Sequence, residues 1–324
     1  RSRAVYTNNV PCGAMRGFGV NQINFAIESS IDELCLQGGF DRWQFRYDNA
    51  LQPGDRTSTG QKINSGIGIQ KTLLAVKEQF NNAKYAGIAC GMKNTGIGNG
   101  VQDEGKVKVV IESPNEIMIH HGWTEMGQGV FTMAVQFLCE ATGLNPNFIS
   151  VKVDTSKEAS CGMTTASRGT SLIGNSVLEA GKKLKADLEI HSLEELVGRE
   201  YSGEWKCDWT TAIEDDVEEP QTHYSYSYAT QVVTLDDSGK VENVYAAHDA
   251  GKIINPTLFE GQLEGSVHMG LGYALSEKFE MEGGFPLHTK YGKLGMIRAA
   301  ATPNIKIIGI EVPDENGPFG AKGV

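Results

Sequence analysis

The sequence predicts an α+β fold built of two mixed α/β subdomains, and three observations point there. Helical and strand-like patterns intermix along the 324 residues without a regular strand–helix–strand period. The clearest strand pair, 224–235 and 241–248, is joined by Asp236-Asp237-Ser238-Gly239, the signature of an antiparallel hairpin. A content of 40% hydrophobic residues, with mean hydropathy −0.28, supplies a sizeable core for a length that accommodates about two domains. The acidic run 214–219 ends at Pro220 and reads as a surface junction. It divides the chain into subdomains 1–220 and 221–324, the second discontinuous in the fold.

The elements follow in order. After a turn-rich opening, residues 21–36 carry Ile23, Ile27, Ile31 and Leu34 on one predicted helical face. The turn at Pro53-Gly54-Asp55 precedes a second amphipathic stretch, with Ile69, Leu73, Val76 and Phe80 in one stripe expected to pack on a sheet. Strands are predicted at 87–92, 106–111 and 116–120 from their alternation and β-branched content. Helices are predicted at 129–142 and 171–197, then the hairpin, a last helix over 258–277 and a strand over 305–312. No internal repeat is visible.

Composition narrows the function classes. Lys+Arg 29 against Asp+Glu 40 gives a net charge of −11, with no basic cluster of the kind that phosphate-backbone binding requires, which argues against nucleic acid. No apolar run approaches the roughly twenty residues of a membrane span, and the start of the sequence shows no signal-peptide core, so the expected location is cytoplasmic. Six cysteines are spread without a C-x-x-C pair or nearby histidines, so no zinc or iron–sulfur site is encoded and most are expected to be small buried hydrophobes. Cys12, between Pro11 and Gly13, stands apart because of the segment it occupies.

Four short segments combine close glycines with polar groups, each placed before a predicted helix: 16–19, 125–129, 164–170 and 261–265. Glycine lets a ligand approach backbone N–H groups, and a helix N-terminus adds partial positive charge suited to phosphate. Ordinary helix-start turns explain each singly; four together point to a large anionic ligand held at several places. Gly96-Ile97-Gly98 is followed by Asn99, Gly100 and Val101, so it breaks the G-x-G-x-x-G pattern of a nicotinamide site, and no P-loop is present.

Taken in order, Tyr6-Thr7-Asn8 with 14–19 and Gln22, then 122–129, then 164–167 with Gly174-Asn175, then 249–252 with Asn255-Pro256, Gly261-Gln262, Glu264-Gly265 and 270–272 resemble the molybdopterin-binding half of the xanthine dehydrogenase and aldehyde oxidoreductase family. The resemblance implies a substrate-packing role for Phe18 and places the backbone around Met15 and Arg16 beside the metal's oxo ligand. It implies that Gln128, within Gly127-Gln128-Gly129, and Gln262 hydrogen-bond the pterin or its phosphate. The Thr165, Ala166 and Ser167 backbone would bind the pterin and pyrophosphate. Amide donors and neutral glutamines suit an anionic cofactor because they add no competing titratable charge. The rival reading of Phe18 is a plain core aromatic at a helix start.

The family's molybdenum portion has an earlier half that nothing here matches, and its general-base glutamate is expected just after Val324, since the sequence reaches Lys322-Gly323-Val324 of that motif. Glu311, Asp314 and Glu315 lie outside the motif and are poor substitutes. No residue of the chain is expected to ligate the metal, which the pterin holds. A molybdenum portion divided between polypeptides resembles the nicotinate dehydrogenases of anaerobic bacteria, with large and medium molybdopterin subunits. That resemblance implies molybdenum with molybdopterin cytosine dinucleotide, a selenium ligand on the metal, and partner subunits carrying FAD and 2Fe-2S clusters, with NADP or NAD as electron acceptor at the flavin. It implies hydroxylation of an aromatic N-heterocycle, nicotinate to 6-hydroxynicotinate, with water-derived oxygen. The rivals are a xanthine, purine or aldehyde dehydrogenase subunit and a non-catalytic cofactor-binding assembly protein.

Overall fold

The computed structural model describes residues 3, 5–11 and 13–323; Cys12 and Val324 lie outside the described residues. The elements are α1 (Val20–Gly38), α2 (Arg42–Asp48), α3 (Ile69–Ala75), α4 (Lys77–Asn82), β1 (Ala86–Thr95), β2 (Asp103–Ser113), β3 (Glu116–His121), α5 (Val130–Thr142), β4 (Ile149–Lys152), α6 (Gly169–Leu188), β5 (Glu200–Cys207), β6 (Ser225–Leu235), β7 (Val241–Asp249), α7 (Pro256–Leu275), β8 (Met281–Glu282), β9 (Phe285–Pro286) and β10 (Asn304–Ile310). The fold is mixed α and β, as expected, with two four-stranded sheets and a minimal β8–β9 pair.

The first sheet runs β4-β3-β2-β5, antiparallel except for the parallel β3–β4 pair. Alternate residues Val107, Val109 and Ile111 face the same side and are buried with Ile117 and Ile119 against Phe137 and Leu138 of α5 and Leu172, Val177 and Leu184 of α6. Gly203 lets α6 lie close on β5: a Cβ there would sit 1.9 Å from the Ser176 carbonyl oxygen.

The second sheet runs β1-β6-β7-β10, with β1–β6–β7 antiparallel and β7–β10 parallel. One face packs Ile88, Tyr226, Tyr228 and Val232 on Leu73 and Phe80; the other packs Val244 and Ala246 on Val267 and Leu271 of α7. β1 therefore joins the sheet otherwise formed by residues beyond 220.

Three expectations need correction. Residues 189–197 leave the helix, because α6 ends at Leu188 and the chain turns to bury Leu196 in the first core. The 261–265 segment lies inside α7 rather than before it: Asn255 accepts from Leu258 N at 3.0 Å and Pro256 occupies the first turn, starting the helix early. In α1 the stripe Ile23, Ile27 and Leu34 is exposed and only Cys35 is fully buried. The reason is electrostatic: buried Arg46 of α2 draws Glu28 (2.7 Å) and Asp32 (2.8 Å) toward it, which sets the rotation of the helix. Of the cysteines described, Cys35, Cys161 and Cys207 are buried, Cys90 and Cys139 half-buried, and none is disulfide-bonded. Among the described residues no helix is long and apolar enough to cross a membrane.

Candidate functional site

The first loop is a tight turn. Phe18 N donates to Met15 O at 2.7 Å and Val20 N to Gly17 O at 3.0 Å, and Gly17, Phe18 and Gly19 all have positive φ. Phe18, at φ 54°, is in a conformation disfavoured for a side chain of its size, a local strain of the kind that collects at functional positions. Its ring is 74% exposed and so is not part of this chain's core. With Met15, Arg16, Asn21, Gln22 and Tyr273 it lines a cavity of about 270 Å³. The Arg16 guanidinium donates to the Gln262 backbone oxygen at 2.6 Å and to its side-chain oxygen at 3.2 Å, and partial burial lowers its pKa. No carboxylate pairs with Arg16 among the described residues. Tyr273 OH donates to Met15 Sδ at 3.1 Å, so the loop lies along α7 from Gln262 to Tyr273.

The second loop is organised from within. Gln128 spends its side chain on its own turn, donating from Nε2 to Thr124 O at 2.7 Å and accepting from Met126 N at 2.6 Å. Glu125 accepts from Gly127 N (2.8 Å), Gly129 N (2.9 Å) and Phe131 N (3.2 Å). Desolvation works to raise the Glu125 pKa, but these backbone donors together hold it below its ordinary value. The N-terminus of α5, expected to be free for a phosphate, is thus filled by the chain's own carboxylate. Gly127 and Gly129 both have positive φ, and a Cβ at Gly129 would meet Leu258 Cδ1 at 2.5 Å.

The third loop is the most ligand-ready. Ala166 (φ 57°) and Ser167 (φ 48°) are successive left-handed residues just before α6. The N–H groups of Thr165, Ala166 and Ser167 have no acceptor among the described residues, which leaves a concave set of donors of the kind that binds anions. The turn is anchored from below. Arg168, buried over the Trp123 ring, pairs with Asp103 and donates to Met163 O at 2.7 Å. Asp103 also accepts from Ile97 N at 2.8 Å, and Gly96 N donates to Ala166 O at 3.0 Å. The glycine turn after β1 therefore supports the third loop from beneath.

Contacts join the segments into one rim. Leu258 and Gln262 are one turn apart on α7, so Gly129 and Arg16 sit on neighbouring positions of the same helix face. Thr124 N donates to Thr164 Oγ1 at 2.9 Å, bridging the second and third loops. Residues 320–323 run beside 249–252, with Lys322 N donating to Ala250 O at 2.8 Å and Gly323 N to Thr95 Oγ1 at 3.1 Å. A Cβ at Gly323 would lie 2.0 Å from the Ser167 carbonyl oxygen. Lys322 Nζ reaches Asp249 Oδ2 and Gly66 O, each at 2.6 Å, in full burial. Desolvation lowers the Lys322 pKa against the opposing pull of Asp249. Asp249 also accepts from Gly251 N and Val312 N, tying three stretches together.

The sequence-predicted residues Met15, Arg16, Phe18, Gly127, Gln128, Gly129, Thr165, Ala166, Ser167 and Gln262 thus converge. The donor set of open N–H groups, a guanidinium without a carboxylate partner among the described residues and a neutral amide fits an anionic pterin phosphate. Asp249–Lys322 and Asp103–Arg168 were not singled out by sequence reasoning; the signal available was a charged residue inside or beside each matched block.

Residues 67–194 and 189–303 match a family model described as molybdopterin cofactor-binding domain, and residues 1–50 match a second model with the same description. The chain is 28% identical over 364 residues to a probable xanthine dehydrogenase subunit of Bacillus subtilis, covering 99% of this chain and 49% of that protein. It is 24% identical over 380 residues to the 6-hydroxypseudooxynicotine dehydrogenase complex subunit gamma of Paenarthrobacter nicotinovorans, covering 99% and 47%. The solved aldehyde oxidoreductase from Desulfovibrio gigas superposes with a TM-score of 0.84 at 25% identity, covering 96% of this chain and 37% of that one. The chain therefore spans about half the length, or less, of the proteins it matches.

Proposed function

Because this chain belongs to the molybdopterin cofactor-binding domain family, we propose that it supplies part of the cofactor cage of a multi-subunit molybdenum hydroxylase acting on an aromatic N-heterocycle, with nicotinate to 6-hydroxynicotinate as the reaction. The observation that carries the reading is the convergence of the first, second and third loops on one rim beside α7, with N–H groups at Thr165, Ala166 and Ser167 that have no acceptor, and an Arg16 that has no carboxylate partner, among the described residues. When bound, the cofactor supplies a metal that activates a water-derived oxygen nucleophile and accepts two electrons. The three N–H groups of residues 165–167 hold the pterin and its pyrophosphate. Arg16 and Gln262 contribute a cation and an amide to the same anion, while the Gln128 amide fixes the shape of the loop that borders it. The exposed ring of Phe18, held rigidly by its turn, stacks on the substrate and excludes water from one face.

Support for an N-heterocyclic substrate comes from the flat aromatic rings Phe18 and Tyr273 around the cavity, and from the relative named for a nicotine derivative. The cytosine dinucleotide form of the cofactor, the selenium ligand, the companion molybdopterin subunit, the FAD and iron–sulfur subunits with NADP or NAD as acceptor, and a cytoplasmic location complete the proposal. Turnover of the intact complex on nicotinate, xanthine and an aldehyde in ¹⁸O-labelled water tests it. The expected result is labelled 6-hydroxynicotinate; turnover of xanthine or the aldehyde without nicotinate would move the substrate to the rival class.

A further inference from the structure

The cavity beside the first loop holds more polar groups than the cofactor reading employs. Its walls carry one guanidinium, Arg16, two carboxamides, Asn21 and Gln22, and one phenol, Tyr273, with the Phe18 ring among them. All four polar side chains can donate hydrogen bonds, and among the described residues none of the chain's 40 aspartates and glutamates lines the cavity. In a chain of net charge −11, such a wall favours an acceptor-rich, anionic ligand. The volume, about 270 Å³, lies at the small end of ligand cavities, which run roughly 300–1,000 Å³, and suits a single ring with a short substituent.

Tyr273 is the member of this set without a strong acceptor. Its hydroxyl donates to Met15 Sδ at 3.1 Å, its one partner among the described residues, and a thioether is a weak acceptor. A carboxylate oxygen in the cavity displaces that bond, since hydrogen bonds to ionised acceptors are roughly twice as strong as neutral ones. The Tyr273 ring is 53% exposed, whereas Leu271 is buried with Val267 against β7, so α7 presents the phenol from a fixed base. Gln262, which holds Arg16, lies three turns earlier on the same helix, about 16 Å away along its axis. The hydroxyl is thus remote from the anion assigned to Arg16 and Gln262, and an acceptor bound to it belongs to the substrate rather than to the cofactor phosphate.

We propose that Tyr273 is a specificity-determining residue whose hydroxyl leaves the Met15 sulfur and donates to the carboxylate of a heteroaromatic acid stacked on Phe18. The proposal rests on the hydroxylase reading above and deepens it. It separates an aromatic acid from the purine and aldehyde rivals, which carry no carboxylate for the phenol to hold.

Tyr273→Phe keeps the ring and removes only the hydroxyl, and it is assayed in the intact complex. The expected result is a KM for nicotinate raised about tenfold or more, with kcat within about twofold and molybdenum content unchanged. Benzoate and pyridine as competitive inhibitors separate carboxylate recognition from packing. The inhibition constant of benzoate should rise with the KM, and that of pyridine, a ring without the carboxylate, by less than about twofold. Unchanged constants for nicotinate and benzoate overturn the proposal, as does a loss shared equally by pyridine, which marks a packing role. A fall in kcat at constant KM overturns it too, because Tyr273 would then act through the Met15 turn. The two readings fail separately. A complex that turns over xanthine or an aldehyde but not nicotinate defeats the functional reading, while benzoate inhibition of that turnover, weakened by Tyr273→Phe, still upholds the role of the tyrosine. Nicotinate turnover indifferent to Tyr273→Phe defeats the tyrosine alone.

Discussion

Phe18→Ala separates a substrate-facing ring from a structural one. The ring is 74% exposed, so truncation opens no cavity in this chain, and surface substitutions of that kind change stability by within about 0.5 kcal/mol. The backbone at φ 54° favours neither Phe nor Ala, so the turn itself should persist, held by the Phe18 N to Met15 O bond of 2.7 Å. Loss of aromatic stacking contributes about 0.5–1.5 kcal/mol, and loss of alignment adds to it. The expected result in the assembled complex is an unchanged melting temperature, unchanged molybdenum content and a fall in kcat/KM of at least tenfold, about 1.4 kcal/mol. Phe18→Gly, which relaxes the left-handed backbone, should match Phe18→Ala kinetically while melting no earlier. Unchanged kinetics, or early melting with loss of cofactor, would refute the reasoning and make Phe18 an internal packing residue of the assembly.

Further outcomes follow from the loops and from two desolvated histidines. Gln128→Ala removes bonds of 2.7 and 2.6 Å that close the second loop, at roughly 1 kcal/mol each, and should lower molybdenum content; full occupancy would deny the loop its role. Gly323→Ala forces a Cβ to within 2.0 Å of Ser167 O, an overpacking of about 1–3 kcal/mol, and should displace the third loop so that cofactor content falls; a variant with normal content and melting would contradict that contact. Desolvation lowers the pKa values of His121 and His223 to about 4. Between the unfolded value near 6.5 and about 4 the unfolded state binds more protons, so stability is fully present above pH ~6.5 and declines as pH falls toward 4. Melting temperatures measured across that window should drop on acidification, and a flat or rising profile would contradict the desolvation of these neutral rings.

Most of the fold was legible because its elements carry strong periodic signals. The stripe Ile69, Leu73, Val76 and Phe80 packs as its spacing indicates, and the hairpin forms around Asp236 and Gly239 with a bulge at Thr234/Leu235. Periodicity failed where tertiary charge decided. The apolar stripe of α1 is real, but Arg46 turns Glu28 and Asp32 inward, and no local pattern announces a partner eighteen and fourteen residues away. At the site, the glycine spacing located the first three loops; it could not tell a free helix N-terminus from one filled by Glu125, because that depends on where a carboxylate folds back. The Lys322–Asp249 pair is equally nonlocal, spanning 73 residues.

The most direct test is the molybdenum content of the intact complex, measured per copy of this chain by elemental analysis alongside release of the pterin. The account predicts about one molybdenum and one pterin per copy, because it assigns the open donors at Thr165, Ala166 and Ser167 and the Arg16 guanidinium, which has no carboxylate partner among the described residues, to a single anionic cofactor. A fully assembled complex without stoichiometric molybdenum would contradict it and leave a scaffold that retains the loops without the chemistry.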